Sequence, residues 1–183
     1  MLLFAHGESA AVSGPFPPWE WHPAVVHFPI AFLLGAVVLD PYAWGRGRAD
    51  LARVANWLMA AGAAIGAIAV ATGALAFFTV PAHTEEAHRL MYWHLGLMGA
   101  AVVGFAAVLD ARARAGRPGV GARIAGLVAA GVLIVGAYLG GTIVYRGGAG
   151  IDPKILSPEV LESHHHGSEP PHATQMHEHH HHD

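Results

Sequence analysis

The chain has 183 residues, of which 54% are hydrophobic and 13% charged, whereas a soluble globular domain has about 25% charged residues. It contains 15 histidines and no cysteine, which excludes a disulfide framework, a cysteine-ligated iron–sulfur cluster and a CxxCH haem attachment. A net charge of −3 offers no basic face to nucleic acid. The composition predicts a small integral membrane protein whose surroundings are the lipid bilayer.

Four apolar stretches are each long enough to cross the hydrocarbon core of a bilayer. They cover residues 24–44, 54–80, 88–109 and 124–145. Residues 1–21 precede them as an extramembrane lead, and residues 22–151 form the membrane domain. Residues 152–183 are polar and contain several prolines, a composition typical of disordered segments. The predicted fold class is all-α: a four-transmembrane-helix bundle followed by a disordered His-rich tail.

Arginine is concentrated in two of the three predicted loops. The first and third loops contain Arg46, Arg48, Arg53, Arg112, Arg114, Arg117 and Arg123. The second loop has a single arginine, Arg89, beside Glu85 and Glu86. By the positive-inside rule the two arginine-containing loops are cytoplasmic and both termini lie outside. The sequence thus predicts a multi-pass protein of the bacterial cytoplasmic (inner) membrane with periplasmic N- and C-termini.

Small residues recur at helix-packing intervals inside the predicted spans. Gly62 and Gly66 are four residues apart, as are Gly136 and Gly140, a spacing that lets helix backbones approach closely in lipid. Gly73 and Gly140 lie toward the outer ends of their spans. We expect the flat surfaces there to accommodate a planar cofactor.

Histidines gather at the outer ends of the first and third spans. His22, His27, His83, His88 and His94 all fall there. Imidazole is costly to place in hydrocarbon and is a common ligand of haem iron and transition metals. His27 and His94 are predicted at matching depth and are the candidate axial ligands, with His22 and His88 as supporting partners or alternative ligands. The alternative is that these histidines only form hydrogen bonds between helices.

Local signals refine the two helices that carry these histidines. Pro29 removes a backbone donor, so the first helix is expected to kink just beyond His27. His22 precedes Pro23, which places it at the predicted cap of that helix. Thr84 is the predicted cap of the third span, followed by Glu85 and Glu86 in its first turn.

Two segments resemble a known family. The run HPAVVHFPIA at residues 22–31 resembles the opening signature of a family of bacterial membrane proteins catalogued as domain of unknown function 2231, and GGTIVYRGGAGI at residues 140–151 resembles its closing signature. His94 fits the histidine of the family's third span, whereas Gly148 stands where a histidine is expected. The resemblance implies a four-helix membrane domain over about residues 21–151 and supplies no activity.

The tail contains nine of the 15 histidines. They are His164, His165, His166, His172, His177, His179, His180, His181 and His182. Such a run chelates transition metals with low specificity. It is alternatively an expression tag or a solvated native segment with no specific ligand.

The predicted function is a haem b-binding electron-transfer component whose site lies at the outer face of the membrane. Its partner would be a periplasmic electron carrier or a larger membrane complex. The alternatives are a membrane protein that binds or handles copper or zinc, and a structural subunit of a larger membrane complex. We expect no catalytic activity of its own, because the predicted spans have no Ser, Lys, Asp or Glu in their interiors.

Overall fold

The computed structural model describes residues 3–4, 17–80, 83–116 and 119–151. The predicted tail at residues 152–183 therefore lies outside the described residues. The helices, in chain order, are α1 (Pro18–Val25), α2 (His27–Gly45), α3 (Ala49–Thr79), α4 (Glu85–Ala115) and α5 (Val120–Tyr145). Two short strands, β1 (Leu3–Phe4) and β2 (His83–Thr84), pair antiparallel with Leu3 opposite Thr84.

Four helical segments of the described chain are long and apolar enough to cross a membrane, which confirms the predicted all-α, four-span fold. They are α1 with α2, then α3, α4 and α5. Several arginines expected in loops are helical instead: Arg53 lies in α3, Arg112 and Arg114 in α4, and Arg123 in α5. Arginine and alanine are both favourable in helices, so the helices continue past the apolar stretches.

The first spanning segment is interrupted at Val26, between α1 and α2. Pro29 has no N–H to donate to Val25, and the next donor, the N–H of Ile30, bonds to the carbonyl of Val26 at 3.3 Å. The helical hydrogen-bond pattern is thus interrupted one residue before His27, while Val26 keeps helical dihedrals (φ −61°, ψ −27°). The kink predicted just beyond His27 stays a prediction. Helix α1 begins at Pro18, so His22 lies inside the helix and not at its cap.

The four long helices close into a ring in which α2 contacts α3 and α5, and α4 contacts the same two helices. Helix α1 packs on α3. Glycines allow the close approach: a Cβ added to Gly62 would lie 2.8 Å from Cγ of Leu33, and one added to Gly136 would lie 2.7 Å from Sδ of Met98. The predicted packing role of these glycines is confirmed. The core contains Leu33, Ala36, Met59, Ala63, Met98, Ala101, Phe105, Val108, Ala129, Ala130 and Leu133.

Because successive long helices alternate in direction, the bundle has two ends with different polar residues. We call one the histidine end, defined by His22, His83, His88 and His94. We call the other the arginine end, defined by Asp40, Asn56, Arg112 and Arg123. The positive-inside rule predicts that the arginine end is cytoplasmic.

Candidate functional site

His22 and His94 are the two histidines of the spanning segments whose rings the fold brings together. Their ring centres are 5.9 Å apart and the ring planes meet at 80°. His22 contacts α3 at Ala69, ten residues before that helix ends at Thr79, and His94 lies nine residues after α4 begins at Glu85. At 1.5 Å per residue both contacts lie about 14–15 Å inside the helix ends. His22 and His94 thus lie at a similar distance from the same end of the bundle.

Each ring of this pair is oriented by a backbone carbonyl. Nδ1 of His22 lies 2.9 Å from the carbonyl oxygen of Ala69, and Nδ1 of His94 lies 2.8 Å from that of Gly136. A carbonyl oxygen only accepts, so Nδ1 carries the hydrogen in both rings and Nε2 of the neutral ring has a lone pair. Neither Nε2 has a hydrogen-bond partner among the described residues. Proteins commonly orient metal-ligating imidazoles in this way.

The two rings sit on matching backbone surfaces. The carbonyl that accepts from His22 belongs to Ala69, four residues before Gly73, and the one that accepts from His94 belongs to Gly136, four residues before Gly140. A Cβ added to Gly73 would lie 2.9 Å from Cε1 of His22, and one added to Gly140 would lie 2.8 Å from Cε1 of His94. The space expected for a planar cofactor at these glycines is therefore occupied by the imidazoles themselves.

His27 does not face His94, contrary to the predicted pairing. Its side chain is exposed, and Nδ1 lies 3.1 Å from the carbonyl oxygen of Pro23 in the preceding turn. Helices α1 and α2 both pack on α3, but only the first of the two histidines bonds to it: His22 reaches Ala69, and His27 its own preceding turn. His22, not His27, therefore lies beside His94.

His88 pairs with His83 instead of joining the first pair. Nε2 of His83 and Nδ1 of His88 are 3.0 Å apart, and the rings stack with an interplanar angle of 13°. Phe77 and Tyr92 contact the ring of His88. His83 is only 2% exposed, although nothing in its spacing predicted burial, since it precedes the helix in a short connection. Thr84 caps α4 as predicted, with its hydroxyl accepting from the N–H of Ala87 at 3.2 Å.

A second polar cluster, at the arginine end, was missed by the sequence analysis. Asp40 is 2% exposed and accepts two hydrogen bonds from Arg112, at 3.0 and 3.2 Å, and one from Nε of Arg123 at 3.1 Å. Arg112 also donates to Oδ1 of Asn56 at 2.8 Å. The cluster thus takes one residue from each of α2, α3, α4 and α5. The sequence contains one signal for this cluster: an acidic residue lies near the end of one predicted span, and arginines lie near the ends of two other spans.

Within the part of the chain that the structure describes, no group of three or more His, Asp or Glu side chains is placed to hold a metal ion. The tail histidines, His164 to His182, lie outside that part. The metal site predicted for them stays a prediction.

Comparisons with known proteins agree with the membrane fold. Residues 20–153 match the model of a family described as "Predicted membrane protein (DUF2231)". Neither the curated proteins nor the solved structures include a match. The similarity supports the resemblance found in the two end segments and leaves the function to be argued from the site.

Proposed function

The chain belongs to the DUF2231 family of predicted membrane proteins, and we propose that it is a haem b-binding electron-transfer component in which His22 and His94 hold the iron. The observation that carries the proposal is the orientation of this pair. Each Nδ1 donates to a carbonyl and each Nε2 keeps its lone pair, on two different spanning segments. Haem in a membrane protein without cysteine is held non-covalently, so its binding rests on such axial ligands.

The donor set fits this group better than it fits a structural metal. Haem needs at most two protein ligands, whereas a structural zinc ion takes four. Two imidazoles that share one metal ion through metal–nitrogen bonds of about 2 Å have ring centres roughly 6 Å apart. The ring centres of His22 and His94 are 5.9 Å apart. His22 and His94 would therefore serve as the two protein ligands of haem iron, without further side chains.

The protein's residues would set the properties of this site. When bound, haem supplies one-electron chemistry through its iron. The carbonyls of Ala69 and Gly136 fix the tautomer and orientation of the rings and raise their basicity as ligands. Haem held by two histidines would support electron transfer rather than binding of a substrate at the iron. The predicted topology places the pair toward the periplasm, where a one-electron carrier would be its partner.

The test is a reduced-minus-oxidised absorption spectrum of the purified full-length chain, produced with an ample haem supply. We expect Soret and α bands at about one haem per chain, lost in His22→Ala and in His94→Ala. His27→Ala is the matched control and should keep the bands, because the His27 side chain is exposed and bonds to the carbonyl of Pro23 in its own preceding turn. If His27→Ala abolishes the bands while His22→Ala keeps them, the ligand assignment is wrong.

Metal analysis of the same samples separates the alternatives. For this measurement the nine tail histidines are replaced by glutamine, so that metal held by the tail does not contribute. If the protein contains one copper or zinc ion per chain and shows no haem bands, the haem proposal is wrong and the His22–His94 pair binds that metal instead. Neither haem nor metal in protein made with both would leave the structural-subunit function.

A further inference from the structure

The buried cluster at the arginine end has more positive than negative charge. Arg112 and Arg123 share one carboxylate, that of Asp40. Side chains of Arg112 and Asp40 are 5% and 3% exposed, and that of Arg123 is 15% exposed. The other acidic side chains of this end, Asp50 and Asp110, pair with Arg48 and Arg114 at the surface. An excess positive charge in an apolar setting is unfavourable unless an anion accompanies it.

One donor of the cluster has no acceptor in the described chain. Nε of Arg112 is buried and lacks a hydrogen-bond partner, while its two terminal nitrogens bond to Asp40 and Asn56. An unsatisfied buried donor of a charged group costs more free energy than one of a neutral group. A ligand atom that accepts from this N–H would remove that cost.

A small cavity borders these groups. It has a volume of about 30 Å³ and is lined by Val37, Asp40, Pro41, Arg112, Arg123, Gly126 and Leu127. That volume exceeds the roughly 10–15 Å³ that a single water-sized atom needs. The cavity therefore has room for one oxygen atom of a ligand, and the rest of that ligand would lie outside the cavity. The walls are polar at the two arginines and at the Asp40 carboxylate, whose oxygens already accept from both arginines. They are apolar at Val37 and at Leu127, which is 58% exposed.

We propose that this cavity, between α2 and α5 at the arginine end, binds one oxygen of a phosphate group. The phosphate accepts from Arg112 and Arg123 and balances the excess charge of the cluster. It comes either from an anionic membrane lipid, whose chains then run along the apolar side chains at the cavity, or from free inorganic phosphate. Trp44, whose ring lies 4.5 Å from the Arg123 guanidinium carbon, holds that guanidinium in place.

The test uses the purified full-length chain, stripped of lipid in detergent, and its apparent melting temperature. Phosphatidylglycerol is compared with phosphatidylcholine, whose phosphate is neutralised by its own choline cation and so cannot balance the charge of the cluster. Inorganic phosphate is compared with chloride at equal ionic strength. We expect phosphatidylglycerol to raise the melting temperature by about 3–6 °C when it is well above its dissociation constant. If inorganic phosphate gives the same shift, the ligand is the free anion; if only the lipid does, it is the headgroup.

Arg112→Lys keeps the charge next to Asp40 but removes the Nε donor. Its affinity for the active ligand should fall at least about tenfold, the effect of losing one charge-assisted hydrogen bond. Arg114→Lys is the matched control, because Arg114 is exposed and pairs with Asp110 on the same helix. Equal shifts with the two lipids and no effect of phosphate, or an unchanged affinity in Arg112→Lys, would overturn the proposal and leave only water in the cavity.

If Arg112→Lys does not fold, native mass spectrometry of the unmodified chain decides. The proposal requires that the chain retain phosphatidylglycerol or phosphate in preference to phosphatidylcholine or chloride. It also requires that Arg123→Lys, which moves the charge away from the cavity wall, weaken that preference. Equal retention of all four additives contradicts the proposal.

Discussion

The two ends of the bundle use polar groups in opposite ways. At the histidine end, His22 and His94 each bond to a backbone carbonyl and keep one nitrogen without a partner in the described chain. At the arginine end, Asp40, Asn56, Arg112 and Arg123 bond to one another and join all four spanning segments. The first arrangement joins helices in pairs and leaves one nitrogen of each ring with its lone pair, and the second joins all four spanning segments through side chains alone.

This difference has an energetic consequence. A neutral imidazole bonded to a carbonyl loses one modest hydrogen bond when it is removed, and the carbonyl keeps its bond within the helix. Removal of one partner from a buried ion pair leaves an uncompensated charge and is strongly destabilising. We therefore expect substitutions at the arginine end to affect stability, and substitutions of His22 and His94 to affect mainly what the protein binds.

The largest effect is expected for Asp40→Ala, which leaves two guanidinium groups without their carboxylate. The free energy of unfolding should fall by about 3–5 kcal/mol, seen as a much lower melting temperature in detergent. Asp110→Ala is the control, because its ion pair with Arg114 is exposed and such pairs contribute little. Comparable losses in the two variants would show that burial of the Asp40 ion pairs adds no stability beyond that of an exposed pair.

Gly140→Ala should have the next largest effect, because its new Cβ would lie 2.8 Å from Cε1 of His94. The ring has to move off the carbonyl of Gly136, at a cost of about 1–3 kcal/mol in stability. Gly141→Ala is the control, since its added Cβ meets no atom within 4 Å. Nitrogen-15 NMR of labelled histidine should show the hydrogen-bonded Nδ1–H of His94 lost in the first variant only. Retention of that signal would mean that the glycine does not position the ring.

The fold could be predicted from the sequence because each of the four spans is recognised by its own length and apolar composition. The predicted pairing of His27 with His94 differs from the structure, in which the ring of His22 lies beside His94. Which of the two histidines lies there depends on which face of the first segment packs on α3, and neither Pro23 nor Pro29 indicates that face. The groups that accept from the two rings are the backbone carbonyls of Ala69 and Gly136, and every residue has such a carbonyl. The only sequence feature that indicates these two positions is the glycine four residues after each.

The arginine cluster was missed for a different reason. Asp40, Arg112 and Arg123 lie near the ends of apolar stretches, where charged residues usually face water. Their burial depends on which helices are neighbours and how far each continues past its apolar stretch. Neither quantity is contained in a single segment of sequence. A buried contact between residues 72 and 83 positions apart is therefore visible only in the folded chain.

Thr84→Ala tests a smaller contribution at the histidine end. The substitution removes the hydroxyl that accepts from the N–H of Ala87, which should lower stability by about 1 kcal/mol. Thr79→Ala is the control, because that hydroxyl donates to a carbonyl of its own helix, at Leu75. We expect the His83–His88 pair next to the cap to loosen, with faster exchange of amide hydrogens in the first turn of α4. An equal effect of both variants would show that the cap has no special role.

The smallest predicted effect separates charge from packing at the arginine end. Trp44→Leu removes the ring that lies 4.5 Å from the Arg123 guanidinium, and an exposed cation–π contact contributes about 0.5–1 kcal/mol. Trp57→Leu is the control, because Trp57 is similarly exposed and has no cation over its ring among the described residues. Arg123→Gln made in both backgrounds completes a double-mutant cycle. A coupling energy with Trp44 and none with Trp57 would mean that the tryptophan stabilises the buried cluster by holding Arg123. Equal coupling energies of Arg123 with Trp44 and with Trp57 would mean that the two rings act only as interfacial anchors. The ion pair with Asp40 would then hold Arg123 without them.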